Sequence, residues 1–343
     1  MNDLERYRNI FDGLKPWAGE VPEGYGVDFV GTLTHVSLLN DWPGDASLVG
    51  QRYVQTHFPT LVDDDPDPQR SFEIGNWNGE RWFEAVNWFV AARAARSRFV
   101  MITLGAWHGS QAVGSYRTLH LVNPMPCRLV VVEPVPENVA ATRRHFSNNG
   151  IDPAAHWFIP LAISDRNDPV FFTIGPRNLG SQNCFSTNER QAREHYFRYF
   201  QETGRTEQAF RNLVLTNSTG LLGRRSDGGE LTFEENAAAQ IKFVSAVTLG
   251  NVLGPFDVVD YLESDIQESE ILVFPPFIDL LRKKVRRIHI GTHGKAVHAS
   301  LHDLFARSGW EIVFSYEPET EHHTSMGSFR TGDGVLTVSN PDL

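Results

Sequence analysis

Short apolar runs and longer amphipathic stretches alternate along most of the chain. Between residues 80 and 96 apolar side chains recur every three or four positions, which predicts a helix with one buried face. From residue 98 onward, runs typical of buried strands alternate with stretches of helical periodicity. This alternation predicts an α/β domain with a parallel sheet and right-handed crossovers. Strands are predicted at 99–104, 128–133, about 156–163, 169–174, 257–264 and 285–291, and helices at 110–121, 137–148, 268–283 and 296–308.

The segments before and at the end of the alternating region, and one segment within it, do not follow the alternation of strands and helices. Residues 311–316 and 334–339 are expected to pair as a closing antiparallel hairpin. Residues 1–70 contain glycine turns and a proline-broken acidic segment, and we interpret them as an N-terminal extension packed on a main domain of residues 71–343.

Residues 175–240 interrupt the alternation after the third strand. They are rich in loop-forming residues, with helical stretches predicted near 189–202 and 234–241. Ligands of such domains bind at the carboxyl edge of the sheet, over which an insertion at this point would lie. The insertion is therefore interpreted either as a substrate lid or as a surface decoration.

Composition narrows the class of protein. The 343 residues are 41% hydrophobic and 21% charged, which favours a folded chain with a sizeable core. The net charge of −11 argues against nucleic acid as the main partner, although residues 282–287 form a local basic run. Cys127 and Cys184 stand too far apart to suggest a disulfide framework or a cysteine zinc site. No apolar signal core or membrane-length apolar run is present, so a soluble cytoplasmic protein without a membrane partner is expected.

A glycine turn follows the first predicted strand. The apolar run of residues 99–104 stops at Gly105, and Gly109 follows, an arrangement typical of a strand turning into a helix whose first amides face a ligand. A dinucleotide site would carry a glycine where Trp107 stands, so the pattern favours a ligand without a pyrophosphate. Glu133, at the end of the next strand, is placed to accept hydrogen bonds from both hydroxyls of a ribose. The alternative interpretations are a tight turn and an exposed acid at the end of a strand.

Three segments carry a family resemblance. Residues 129–139, 262–270 and 288–293 resemble, in order, motifs of the FkbM family of S-adenosylmethionine-dependent methyltransferases. The resemblance implies a Rossmann-like class I methyltransferase sheet of seven strands with the last one antiparallel. It also implies S-adenosylmethionine as cofactor and O-methylation of a small molecule or glycan. The implied cofactor-binding residues are Gly105, Ala106, Gly109, Glu133, Pro134, Ala162, Ile163 and Ser164.

Three positions depart from the family pattern. The family carries an acid in the first strand where this chain has Thr103, and that acid helps orient the methionine end of the cofactor. Glu263 stands where the family has lysine, and Glu268 where it has glycine. The added negative charge favours a neutral or cationic substrate, or a diverged enzyme.

Two residues are candidates for a catalytic role. Asp265, at the end of the fourth strand, is the first candidate for a polar role near the methyl group. His293, after the fifth strand, is the second, because an ordinary imidazole can act as a base at neutral pH. The alternatives are a helix-capping aspartate and a packed histidine.

Two other classes of function stay open at this point. His298 and His302 are spaced to share one helix face, which is compatible with a histidine-metal hydrolase. The chain lacks an HExxH motif, however, so no metal site is expected. Thr103 and Glu268 are compatible with a non-catalytic binding protein of methyltransferase descent.

Overall fold

A central sheet of seven strands organises the protein. The computed structural model describes residues 3–35, 38, 53–54, 58–61, 80–174 and 240–343, together with the short strands 184–186, 213–215, 222–225 and 231–232. The strands are β1 (Phe99–Leu104), β2 (Cys127–Val132), β3 (Trp157–Ile159), β4 (Tyr261–Ser264), β5 (Arg287–Thr292), β6 (Glu311–Tyr316) and β7 (Gly334–Ser339). The sheet has the order β6-β7-β5-β4-β1-β2-β3, and β7 runs antiparallel to both of its neighbours. This is the class I methyltransferase order, so the predicted fold class is confirmed.

Helices cover both faces of the sheet. The four longest that the structure describes are α1 (Glu80–Ala94), α2 (Ser110–Val122), α3 (Pro136–Asn148) and α4 (Lys295–Arg307). Successive strand residues point to opposite faces, so most of the strands contribute to two separate apolar cores. Shorter helices are Asp3–Tyr7, Leu249–Leu253, Glu270–Val273 and Ile278–Lys284, with 3-10 turns at Pro153–Ala155 and Pro275–Phe277.

Three local predictions need correction. The strand predicted at 156–163 is broken at Pro160, which has no N–H for a sheet, and Ala162–Ser164 pairs instead with Ala246–Thr248. The helix predicted at 268–283 is divided into short pieces around Pro275, because proline disrupts a helix interior. Residues 240–241 belong to a strand rather than a helix, since Gln240–Val244 pairs with Val170–Ile174. The remainder of the predicted helices at 189–202 and 234–241 lies outside the described residues.

The described part of the N-terminal extension packs on the central domain. The strands Tyr25–Val27 and Leu33–His35 pair antiparallel, and Tyr53–Val54 pairs with the first of them in parallel. The buried Asp28 carboxylate accepts the N–H groups of Val30 (3.0 Å) and Thr32 (2.7 Å) and lies 3.6 Å from the Arg81 guanidinium in α1. This buried charge pair joins the extension to α1. The boundary at residue 70 and the lid role of residues 175–240 stay predictions.

Candidate cofactor and acceptor site

The loop after β1 requires glycine at both of its predicted positions. Gly105 has φ +78° and Gly109 has φ +81°, in the left-handed region that favours glycine. A Cβ on Gly105 would overlap the carbonyl oxygen of Asp265, and one on Gly109 would overlap the side chain of Thr142. The loop of residues 105–109 is therefore packed directly against the end of β4 and against α3.

Glu133 is held at the end of β2 facing this loop. Its side chain is buried, with 4% of the residue exposed. Its Oε2 accepts the N–H of Trp107 (3.0 Å), while Oε1 accepts the N–H of Val135 (2.9 Å) and the Nδ2 of Asn138 (3.3 Å). Burial raises the pKa of Glu133 to about 7 although these hydrogen bonds oppose the shift. A carboxylate offers about four acceptor positions, so it retains capacity for a ligand hydroxyl.

Backbone strain is concentrated in the loops after β1 and β4. Among the described residues four that are not glycine have positive φ, and three of them are Trp107 (46°), Gln267 (54°) and Glu268 (69°). Such conformations cost free energy and recur at ligand sites. The φ of Glu268 is one that glycine adopts without a steric cost.

Asp265 and His293 meet at the carboxyl edge of the sheet. The Nε2 of His293 lies 3.3 Å from Asp265 Oδ1 and 3.3 Å from Asp333 Oδ2. Both carboxylates are about half exposed, at 46% and 50%, whereas the imidazole is 12% exposed. Gln267 donates from Nε2 to Asp265 Oδ1 (2.7 Å). The two predicted catalytic residues are thus brought together, and the Nε2 of His293 contacts two half-exposed carboxylates.

The predicted base role of His293 assumes the pKa of an ordinary imidazole, whereas the surroundings of His293 raise its pKa. Burial lowers the pKa of His293, but the hydrogen bond to Asp333 and the charges of Asp265 and Glu270 outweigh it and raise the pKa to about 10. The raised pKa favours the protonated imidazole at neutral pH, a form that has no lone pair to accept a proton. The arrangement favours Asp265 as the proton acceptor and His293 as a fixed positive charge.

Asp333 and Glu80 are site residues that the sequence interpretation missed. Asp333 directly precedes β7, whose antiparallel return places it next to the end of β5. Its N–H donates to Glu80 Oε1 (2.8 Å), at the start of α1. The one sequence signal was an acid between two glycines immediately before a strand.

Thr103 is paired with an acid on the neighbouring strand. Thr103 and Glu263 occupy the same register in β1 and β4, and the threonine hydroxyl donates to Glu263 Oε2. Burial raises the pKa of Glu263 well above its ordinary value, which favours the protonated carboxyl. Thr103 and Glu263, two of the three residues that depart from the pattern of the resembled family, are therefore hydrogen-bonded to each other.

The remaining predicted cofactor residues lie around the same edge. Ala106 is buried within the loop after β1, and Pro134 follows Glu133 and is half-buried. Ala162, Ile163 and Ser164 lie outside the seven-stranded sheet, in the short strand that pairs with Ala246–Thr248. That strand lies next to the helix Glu270–Val273, which follows the β4 loop.

The histidines proposed as metal ligands are not assembled into a site. His298 is buried, with Nδ1 bonded to Thr292 Oγ1 (2.9 Å) and Nε2 bonded to Ser315 Oγ (2.9 Å). His302 lies 3.7 Å from Asp303. Within the described ranges no group of three or more histidine, cysteine, aspartate or glutamate side chains is arranged to hold a metal ion. Nor does that part of the chain contain a helix long and apolar enough to cross a membrane.

Comparisons with known proteins give low similarity throughout. No protein-family model matches the chain, and no curated protein matches it. The C-terminal domain of precorrin-6Y C5,15-methyltransferase from Rhodobacter capsulatus is 10% identical, with 82% of this chain and 93% of that one covered and a TM-score of 0.36. An O-methyltransferase from Bacillus cereus, solved in complex with SAH, is 9% identical, with coverages of 81% and 84% and a TM-score of 0.34. The METTL16 MTase domain is 9% identical, with coverages of 75% and 80% and a TM-score of 0.36. Because these identities and TM-scores are low, the fold assignment rests on the strand order of the central sheet.

Proposed function

We propose that the protein is an S-adenosylmethionine-dependent O-methyltransferase, related to the FkbM family, that acts on a hydroxyl group of a small molecule or glycan. The observation that carries this proposal is the position of Glu133. Its carboxylate is fixed by two backbone N–H groups at the end of β2, beside a glycine turn that has no room for a side chain. An acid in that place suits the ribose of a nucleoside cofactor.

The residues at the carboxyl edge suit such a cofactor. Gly105, Ala106 and Gly109 would form the wall beside it, and Glu133 and Pro134 would hold its ribose. Ala162, Ile163 and Ser164 would lie on the adenine side. The bound cofactor supplies a methyl group on a positively charged sulfur, which is already electrophilic, so the protein's task is chiefly to orient the two partners.

Asp265 is the residue that we assign to the acceptor hydroxyl. Its carboxylate is about half exposed, next to the loop that would carry the cofactor. Asp265 would accept the proton of the acceptor hydroxyl, whose oxygen would take the methyl group from the sulfonium and leave S-adenosylhomocysteine. Burial raises the pKa of Asp265, and the positive charge of His293, 3.3 Å away, opposes this shift.

The acceptor is proposed to be small rather than a nucleic acid. The net charge of −11 and the carboxylates of Asp265 and Asp333 at the carboxyl edge of the sheet disfavour a polyphosphate backbone. These same charges would suit a neutral or cationic acceptor. A cytoplasmic location remains the expectation from the sequence.

Calorimetry with S-adenosylhomocysteine tests the proposal. Glu133→Ala should weaken binding by about 1–3 kcal/mol, because a hydrogen-bond acceptor for the ribose is lost. Glu137→Ala is a matched control, since it removes the same carboxyl group from an exposed position in α3. Absence of binding by the natural chain at millimolar ligand would refute the proposal. Equal affinity of the Glu133→Ala variant would remove the ribose assignment.

A non-catalytic binding protein is the second candidate. It is favoured by Thr103, which leaves β1 without the acid that the family carries there. Tight binding of S-adenosylhomocysteine, with no methyl transfer to any hydroxylated compound in a broad panel, would support this reading over the first.

A further inference from the structure

A polar stripe runs along one side of α3 toward the loop after β1. Its members are spaced by four, three and four positions, which places them on one helix face. They are Asn138, Thr142, His145 and Asn149, the last directly following the helix. None of them was singled out as a site residue from the sequence. Each makes a hydrogen bond to a group outside the helix.

Two members of the stripe hold the backbone of the loop. Thr142 Oγ1 donates to the carbonyl oxygen of Trp107 (2.9 Å). His145 Nδ1 donates to the carbonyl oxygen of His108 (3.0 Å). Two of the three carbonyls between Gly105 and Gly109 are therefore anchored to one helix, while the N–H of Trp107 is held by Glu133.

The same stripe reaches the N-terminal extension. Asn149 bonds both backbone groups of Leu33, accepting from its N–H (2.7 Å) and donating to its oxygen (2.8 Å). The hydroxyl of Thr34 lies 3.2 Å from His145 Nε2. Since Nδ1 of His145 carries the proton that is donated to His108, Nε2 of the neutral ring accepts the Thr34 proton. Burial lowers the pKa of His145 to about 4, so this neutral form prevails.

A continuous chain of hydrogen bonds thus connects the extension to the loop. It runs from the Thr34 hydroxyl through the imidazole of His145 to the His108 carbonyl, and all three residues are buried. In such a chain each bond orients the next, and an unpaired partner is costly at this depth. Loss of the Thr34 hydroxyl would leave His145 free to rotate or to take the other tautomer.

We infer that His145 is a positioning residue through which the N-terminal extension holds the loop of residues 105–109 in its cofactor-binding conformation. The inference rests on the proposed function for the identity of the ligand. It makes residues 28–35 part of the binding site without touching the ligand. By linkage, bound cofactor should in turn stabilise the docked extension.

Four variants separate the two bonds of the relay. Thr34→Val removes the hydroxyl at constant shape, and Thr34→Ser restores it. His145→Asn keeps a donor near the Nδ1 position, whereas His145→Gln keeps only a polar group near Nε2. The matched control is Thr337→Val, which removes another buried threonine hydroxyl, in β7, that contacts His289 Nδ1 (2.9 Å) and accepts from Asn87 Nδ2 (3.1 Å).

Calorimetry with S-adenosylhomocysteine and hydrogen exchange of the loop amides are the two readouts. Thr34→Val and His145→Gln should weaken binding roughly 3- to 10-fold, the range expected for one buried hydrogen bond. They should also speed exchange of the amides at residues 107–109 in the ligand-free protein. Thr34→Ser and Thr337→Val should stay within about 2-fold of the natural chain in affinity, whereas His145→Asn, which loses the bond to Thr34, should weaken binding to the same degree as Thr34→Val.

The outcomes distinguish this inference from the proposed function. If the natural chain does not bind S-adenosylhomocysteine, the proposed function fails, and the exchange data alone decide on the relay. Unchanged exchange and affinity in both Thr34→Val and His145→Gln would overturn the relay. If His145→Gln fails to fold, Thr34→Val still gives the decision, because it alters only one hydroxyl.

Discussion

Glu268 offers a direct test of strain in the loop after β4. It has φ +69°, a left-handed conformation in which a Cβ is crowded by the backbone. Occupying that conformation costs a residue with a side chain about 1–2 kcal/mol, and glycine largely escapes this cost. Glycine loses about 0.5–1 kcal/mol more backbone entropy on folding. Glu268→Gly should therefore be more stable than Glu268→Ala, by about 1 kcal/mol in the free energy of unfolding.

Comparing Glu268→Gly with Glu268→Ala isolates the backbone contribution to the free energy of unfolding. Both remove the Glu268 carboxylate and whatever it contacts, so their difference reports only the Cβ. Asp303 in α4 provides the control, because it is an exposed acid within a helix. There the order should reverse, with Asp303→Gly less stable than Asp303→Ala by up to about 1 kcal/mol.

Urea unfolding followed by circular dichroism, with thermal melting as a second measurement, would supply the four free energies. A difference of 1 kcal/mol corresponds to about 2 °C in a chain of this size. If Glu268→Gly is no more stable than Glu268→Ala while the Asp303 pair behaves as expected, the assignment of strain to this loop is wrong.

Three further predictions concern the site. Gly105→Ala should lose at least about 3 kcal/mol of unfolding free energy, or all binding of S-adenosylhomocysteine, because its methyl group would overlap the Asp265 carbonyl oxygen; normal melting together with normal calorimetry would contradict the close packing. Glu263→Gln should change stability at pH 7 by under about 1 kcal/mol, because burial raises the pKa of Glu263 well above its ordinary value, which favours the protonated carboxyl, and the amide can replace it beside Thr103. A large loss in urea unfolding at that pH would show that the carboxylate is ionised. The pKa of His293, raised to about 10, makes its contribution to stability fully present below its ordinary pKa of about 6.5 and lost as the pH rises through 10. The melting temperatures of the natural chain and His293→Gln should accordingly differ most near pH 6 and converge toward pH 10.5; a constant difference would refute the charged pair.

The sequence was sufficient to predict those elements whose structure depends on the residues of one short segment. The run of residues 99–104 ending at Gly105 defines β1 and its turn, because apolar residues and a left-handed glycine have few other uses together. Pro160 carried an equally local signal, the lack of an N–H, and the single strand predicted across it was wrong for that reason. The strand at residues 240–244 had no comparable signal, since its partner Val170–Ile174 supplies the hydrogen bonds.

By itself, the sequence determined the alternating α/β class, the glycine turn and the acid at the end of β2. Each of these three features depends on periodicity or on the conformational freedom of one residue, and none of them requires knowledge of distant segments. Only the tertiary structure decided that Asp333 meets His293, that Glu263 meets Thr103 and that Thr34 reaches His145. These pairs depend on the strand order, the strand register and the docking of the extension, which bring side chains together across long separations in sequence. The charge of His293 follows from the same assembly, because three acids from different segments raise its pKa.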